Sequence, residues 1–201
     1  MSVPIFSQAL PEPRQTSVGR SILIGCAGCG CCAGVLVVLM FIAAILLFPV
    51  KPVLGVAGTD FTLYGKTLDG EDFDWESLRG KYVLVKFTAT WCGPCKREIP
   101  GMLEAYEQYH DKGLEIVSIY IWEQSADPVT AVKQTVEQEK LPWIILSEAL
   151  TEKSGQQPQG KAFGIEGVPT MFLVDKEGNI LATDTRGARL KQELQKAFGE
   201  Q

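Results

Sequence analysis

Over residues 21–50 the chain has no Asp, Glu, Lys or Arg, and 22–48 is an almost unbroken apolar run. A bilayer core of about 30 Å needs roughly 20 helical residues, so this run is long enough to cross it with tilt. A single membrane helix is therefore predicted over 21–49. A short tail over 1–20, holding Pro4, Pro11 and Pro13, precedes it. Pro49 and Pro52 end the helix, and 50–57 reads as a linker. Beyond it the pattern changes to short apolar segments separated by turn residues, which marks a globular domain over 58–201.

Within that domain Phe61-Thr62-Leu63 and Asp72-Phe73 flank Asp69-Gly70, a hairpin signal. Residues 82–87 form a β-branched apolar run expected as a central strand, and 114–121 a second buried strand. Ile99, Leu103, Tyr106 and Tyr109 recur at helical spacing over 96–110, interrupted by Pro100. A second helix is predicted over 129–140, a short strand over 143–146, and a polar loop over 147–160. Residues 170–174 and 180–184 bracket Glu177-Gly178-Asn179 as a hairpin, and 190–198 closes the domain as a helix. Strand, helix, strand and helix followed by an antiparallel hairpin indicate an α/β sheet with helices on both faces.

Charge adds direction. Arg14 and Arg20 precede the apolar run and only Lys51 follows closely, so the positive-inside rule places the N-terminus in the cytoplasm and the domain outside. Glu12 is the only other charged residue before Lys51. The remainder of the chain thus carries 17 basic and 23 acidic side chains, an acidic surface that argues against a nucleic-acid partner. A cleaved signal peptide is the competing reading, but its apolar region should be about 7–15 residues long. Leu23-Ile24-Gly25-Cys26 resembles a lipoprotein box, except that nearly all the apolar residues follow the cysteine instead of preceding it. Cys26, Cys29, Cys31 and Cys32 have no His or carboxylate beside them and read as small apolar residues packing among glycines. Gly30 and Gly34 form a small-residue pair that would allow close helix approach.

The two remaining cysteines lie in Trp91-Cys92-Gly93-Pro94-Cys95-Lys96, where a buried strand gives way to a helix. Cys92 falls at or near the N-cap, where free N–H groups and the helix dipole favour a thiolate. Cys95, one turn deeper, is suited to resolving a mixed disulfide. An inert bridge or half of a zinc site is the bland alternative. Zinc, however, needs two more ligands, and the single imidazole, His110, lies near the far end of the helix. No metal and no cofactor are expected.

The run from Phe87 to Pro100, FTATWCGPCKREIP, resembles the thioredoxin superfamily, and in particular its TlpA/ResA-like membrane-anchored thiol-disulfide oxidoreductases. Gly167-Val168-Pro169-Thr170 is similar to the family's cis-proline loop. Asp60-Phe61-Thr62-Leu63 with Leu78-Arg79-Gly80-Lys81 is similar to the branch's added N-terminal hairpin. The resemblance spans roughly 58–198 and implies a thioredoxin-like fold, a central mixed β-sheet flanked by helices. It implies Cys92 as attacking thiolate, Cys95 as resolving thiol and the pair as a redox-active disulfide. Trp91, Gly93, Pro94, Val168 and Pro169 would then form the substrate groove. Glu98 aligns with an acidic residue held near the active site, where it would tune the cysteine pKa values or relay protons; a solvated helix-face carboxylate is the plainer reading. Where the family carries a buried Asp or Asn, this chain has Lys86, which could snorkel toward Glu98 or lower a thiol pKa. The family's common aromatic residue is replaced by Thr88.

The expected function is thus an extracytoplasmic, membrane-anchored oxidoreductase on the periplasmic side. It would reduce, or alternatively oxidise, disulfides in cysteine-containing exported proteins, with cytochrome c maturation one such process. A membrane or soluble redox partner and the bilayer itself, through 21–49, complete the expected partners. A copper-binding module on the same fold would favour C-x-x-x-C with a distant His, and a redoxin-type peroxidase a Thr three residues before its cysteine. Here that residue is Ala89.

Overall fold

The computed structural model describes residues 61–199, together with Leu39 and Met40, which are helical and exposed. The rest of the span predicted over 21–49 lies outside the described residues, as do the tail and the linker. Among the described residues no helix is long and apolar enough to cross a membrane.

Five strands, β1 (Tyr82–Thr88), β2 (Leu114–Tyr120), β3 (Ile144–Ser147), β4 (Thr170–Val174) and β5 (Ile180–Thr183), form one sheet in the order β3-β2-β1-β4-β5. β1, β2 and β3 run parallel, while β4 pairs antiparallel with β1 and β5 with β4. The predicted mixed α/β sheet is present. β1 is central because both its faces are apolar, and period-two alternation divides them. Val83, Val85 and Phe87 face one core with Val117, Ile119, Phe172 and Phe61. Leu84 faces the other with Ile116, Met171, Met102 and Leu190. The same alternation turns Lys86 toward the second face, where it is buried.

The helices are α1 (Gly93–Arg97), α2 (Ile99–Tyr109), α3 (Pro128–Glu139), α4 (Glu148–Lys153), α5 (Gln159–Ala162) and α6 (Ala188–Ala197). The helix predicted over 96–110 is broken at Glu98. Pro100 has no N–H, and its ring excludes the carbonyl four residues back from a continuous helix. The chain tightens there, Glu98 N donating to Cys95 O at 3.3 Å, before Met102 N resumes the ladder on Glu98 O at 3.1 Å. α3 starts at an Asp127 cap whose carboxylate accepts from Thr130 N at 3.2 Å.

Two expectations need correction. The hairpin about Asp69-Gly70 is present but short: Gly70 N donates to Thr67 O, Thr67 N to Glu71 O at 3.0 Å and Phe73 N to Gly65 O at 2.9 Å, around the bridge between Lys66 and Asp72. Phe61 and Leu63 do not pair as a strand because their side chains are drawn into the core. The polar loop over 147–160 contains α4 and the start of α5. Ser147 caps α4 by accepting from Leu150 N, and Glu148, Thr151 and Gln159 are buried despite their polarity.

Phe61 ties the segment before the sheet to the core. It meets Trp75 edge-on at 5.4 Å and stacks on Phe163 at 5.3 Å, while its N–H donates to Gly178 O at 2.8 Å. Phe61→Ala should cost about 3–5 kcal/mol. In urea unfolding the midpoint should fall with the slope unchanged. A midpoint within experimental error of wild type would show that this aromatic cluster does not hold the segment.

Candidate active site

β1 ends at Thr88 beneath the loop Ala89-Thr90-Trp91, which leads into α1. The site is therefore at the carboxyl end of the central parallel strand, between a parallel neighbour and an antiparallel one. Open α/β sheets bind ligands at such a point, because the connections diverge there and leave a crevice. Cys92 caps α1 in extended backbone geometry, its Sγ 3.1 Å from the donating Cys95 N. Pro94, in the first turn, needs no acceptor for a missing N–H. A disulfide joins Cys92 to Cys95, their Cα atoms 5.3 Å apart.

The register of β1 with β4 completes the crevice. Phe87 faces Thr170, so the two residues before β4 arrive beside the cysteines. The Val168–Pro169 peptide bond is cis, and Val168 O lies 3.7 Å from Cys92 Sγ. Val168 and Pro169 are half-buried, whereas Gly93 and Pro94 are exposed and Trp91 is 49% exposed. The structure thus brings together Trp91, Cys92, Gly93, Pro94, Cys95, Val168 and Pro169. Cys92 is only 3% exposed in the disulfide form, against 1% for Cys95. Surroundings distinguish the two sulfurs better than exposure does: Cys92 borders the exposed rim and Val168, while Cys95 backs onto the interior.

Of the two readings of Lys86, a contact with Glu98 is not made. Lys86 is 2% exposed and its ammonium donates to Cys95 O at 3.0 Å. Glu98, half-buried, accepts from Gly187 N at 2.8 Å and so links the α1–α2 break to the start of α6. A cavity of about 370 Å³ between α2 and α6 is lined by Arg97, Glu98, Glu104 and Lys191 and does not include the cysteines. Burial pushes the Lys86 ammonium down from 10.5 to about 8, against the opposing pull of Glu98 and Glu139.

Three site residues escaped the sequence reading. Glu123 receives both Thr90 N, at 2.7 Å, and the Thr90 hydroxyl, fastening the loop before Trp91. Trp122, 40% exposed with φ 54°, accepts the Trp91 indole N–H on its carbonyl at 3.0 Å. Glu148, buried, accepts from Trp122 N at 3.1 Å and from Gly160 N at 2.7 Å, so α4 and α5 hold Trp122 in place. Gly160 is needed for that approach. A Cβ there would lie 3.1 Å from the Trp122 indole nitrogen and 3.2 Å from Glu148 Oε1. The signal that could have found Trp122-Glu123 is position: they follow β2 at the same sheet end where Trp91 follows β1.

The chain is similar to known proteins. The family model described as Redoxin matches residues 54–197. The chain is 32% identical over 128 residues to the thiol-disulfide oxidoreductase ResA of Bacillus thuringiensis subsp. konkukian, covering 64% of this chain and 68% of that protein. It is 32% identical over 141 residues to the ResA of Geobacillus thermodenitrificans, covering 70% and 74%. The solution structure of a thiol:disulfide interchange protein from Bacteroides sp. superposes with a TM-score of 0.59 at 27% identity, over 72% of this chain and 91% of that one.

The buried lysine has a thermodynamic consequence. Between pH 8 and 10.5 the unfolded chain holds a proton on Lys86 that the folded chain has released. Unfolding then takes up protons, and this group's contribution to stability rises with pH across the window. Relative to Lys86→Met, the oxidised wild type should gain up to about 3 kcal/mol between pH 7 and pH 10.5. Urea unfolding at pH 7, 9 and 10.5 measures the difference. A wild-type-to-variant gap that does not change with pH would mean that the folded-state ammonium is not depressed.

Proposed function

The chain belongs to the redoxin family, among its ResA-like thiol-disulfide oxidoreductases, and from this we propose that Cys92 and Cys95 are the exchanging pair, working outside the cytoplasm to reduce disulfides in exported proteins. The observation that carries the reading is the disulfide at the start of α1, with Val168 O 3.7 Å from Cys92 Sγ. Trp91, Gly93, Pro94, Val168 and Pro169 form the groove in which an extended substrate segment lies against the Val168 backbone.

The exchange runs in two displacements. The Cys92 thiolate attacks one sulfur of the substrate disulfide and forms a mixed disulfide, and the other substrate sulfur leaves as a thiolate that takes a proton from solvent. Cys95, deprotonated, then attacks Cys92 Sγ. The Cys92–Cys95 bond forms, the bond to the substrate breaks, and the second substrate sulfur departs with the electron pair. Two electrons have passed to the substrate, and the protein is left in the disulfide form of the structure. A thiol donor must reduce it for another cycle. N-cap placement favours the attacking thiolate at Cys92, since the Cys95 N–H already points at its sulfur.

Reduction is favoured over oxidation by Gly93-Pro94, which is like the reducing thioredoxins, and cytochrome c maturation is one process that requires such reduced thiols. The extracytoplasmic placement is supported by the uncharged run over 21–50 and by Arg14 and Arg20 before it. The bilayer, through 21–49, and a membrane or soluble redox donor are the partners this reading requires.

In the full chain Cys95→Ser should accumulate mixed disulfides with cysteine-bearing proteins that dithiothreitol releases, whereas Cys92→Ser should capture none. If Cys95→Ser captures nothing and the wild type leaves insulin disulfides intact, the dithiol reading is wrong. Protease added to intact spheroplasts should digest the domain over 58–201. A domain protected until the membrane is lysed would overturn the extracytoplasmic placement.

A further inference from the structure

Among the described residues Lys86 is the one buried lysine, and the exchange just described gives it no part. Taking an ammonium out of water is costly, and proteins normally offset it with a carboxylate in contact. Here the contact is the carbonyl of Cys95 itself, at 3.0 Å. The groups facing Lys86 come from several elements. Glu98, at the α1–α2 break, attracts it but spends its carboxylate on Gly187 N, and Glu139, the last residue of α3, acts through space. On the flanking strands Lys86 is opposite Ser118, whose hydroxyl accepts from Trp143, and opposite Met171. In the disulfide form, then, the charge is anchored to the backbone of Cys95, whose own sulfur is bonded to Cys92 and neutral.

We propose that Lys86 is an electrostatic positioning residue for the resolving step, its ammonium holding Cys95 as a thiolate once Cys92 is engaged in a mixed disulfide. An opposite charge close to a thiol in a low-dielectric setting favours the ionised form. The buried charge, drawn only through space by Glu98 and Glu139 in the disulfide form, gains a nearby counter-ion when Cys95 is released. The Cys95 proton passes to solvent as the thiolate forms, and Lys86 keeps all three of its own. The thiolate then attacks Cys92 Sγ, forming the Cys92–Cys95 bond and expelling the substrate sulfur with the electron pair. No buried carboxylate base is needed. Burial brings the ammonium down to about 8, so it is still mostly charged at neutral pH, where the attack must occur.

This inference rests on the dithiol reading above, and the test separates the two. In the full chain carrying Cys92→Ser, the pH profile of Cys95 alkylation is read peptide by peptide by mass spectrometry, so the four N-terminal cysteines do not interfere. Adding Lys86→Met should move the Cys95 midpoint upward by about one pH unit or more, a tenfold loss of acidity. Lys86→Arg should keep it near the original value. With Cys92 restored, Lys86→Met should slow substrate release from the mixed disulfide at pH 7 by about the same tenfold factor. An unmoved midpoint in Lys86→Met, or an equal displacement in Lys86→Arg, overturns the proposal. The coupling is reciprocal, so the wild type provides a check that needs no variant. By NMR of the lysine Cε carbon, Lys86 should titrate at higher pH in the reduced chain than in the oxidised one, and identical titrations would also overturn it. If the wild type reduces insulin while these readouts stay flat, Lys86 alone has been misread. If it does not reduce insulin, the dithiol reading itself fails.

Discussion

Every part of the site depends on β1 being hydrogen-bonded along both edges, parallel to β2 and antiparallel to β4. The parallel edge brings the end of β2, with Trp122 and Glu123 behind it, level with the loop that carries Trp91. The antiparallel edge delivers Val168 and Pro169 from the opposite direction. A register slip of one residue on either edge would turn every side chain to the other face. Both faces are apolar, so such a slip would also take Lys86 away from Cys95 and Leu84 out of its core.

Around that frame the polar groups are committed to backbone. Glu123 binds Thr90, Glu148 joins Trp122 to Gly160, Glu98 meets Gly187, and Lys86 meets Cys95. Each of these side chains connects two different segments, from nine to 89 positions apart, and together they fix the surroundings of the cysteines and of the two exposed tryptophans. Rigid surroundings suit a reaction in which one sulfur must find another at bonding distance. They also explain the acidic residues near a thiolate site: their negative charge is taken up by donating N–H groups and is not left facing the sulfur.

Much of this was legible in the chain. The β-branched run at 82–87, the helix broken near Pro100 and the hairpin at Glu177-Gly178-Asn179 all appear within a residue or two, because local pattern and global burial agree there. The cysteine pair was legible for the same reason, since spacing and strand-to-helix position are local properties. In the 61–73 segment the turn was legible but its first arm was not, because Phe61 is anchored in a core against Phe163 and Trp75 and does not pair as a strand. The helices in 147–160 were missed because their polar residues are buried by long-range partners: Gln159 reaches back to Tyr64, and Glu148 reaches Trp122 and Gly160.

The sequence alone determined the chemistry: two cysteines three apart at a helix start, a proline loop before a later strand, and a lysine where the resembled family carries Asp or Asn. Only the tertiary structure decided who serves that chemistry. It set Lys86 against Cys95 instead of Glu98, closed Val168 over the Cys92 sulfur, and recruited Glu123 and Glu148. These pairings join residues up to 76 positions apart. They follow from strand order and register, which arise from packing two apolar faces at once and leave no local mark on the chain.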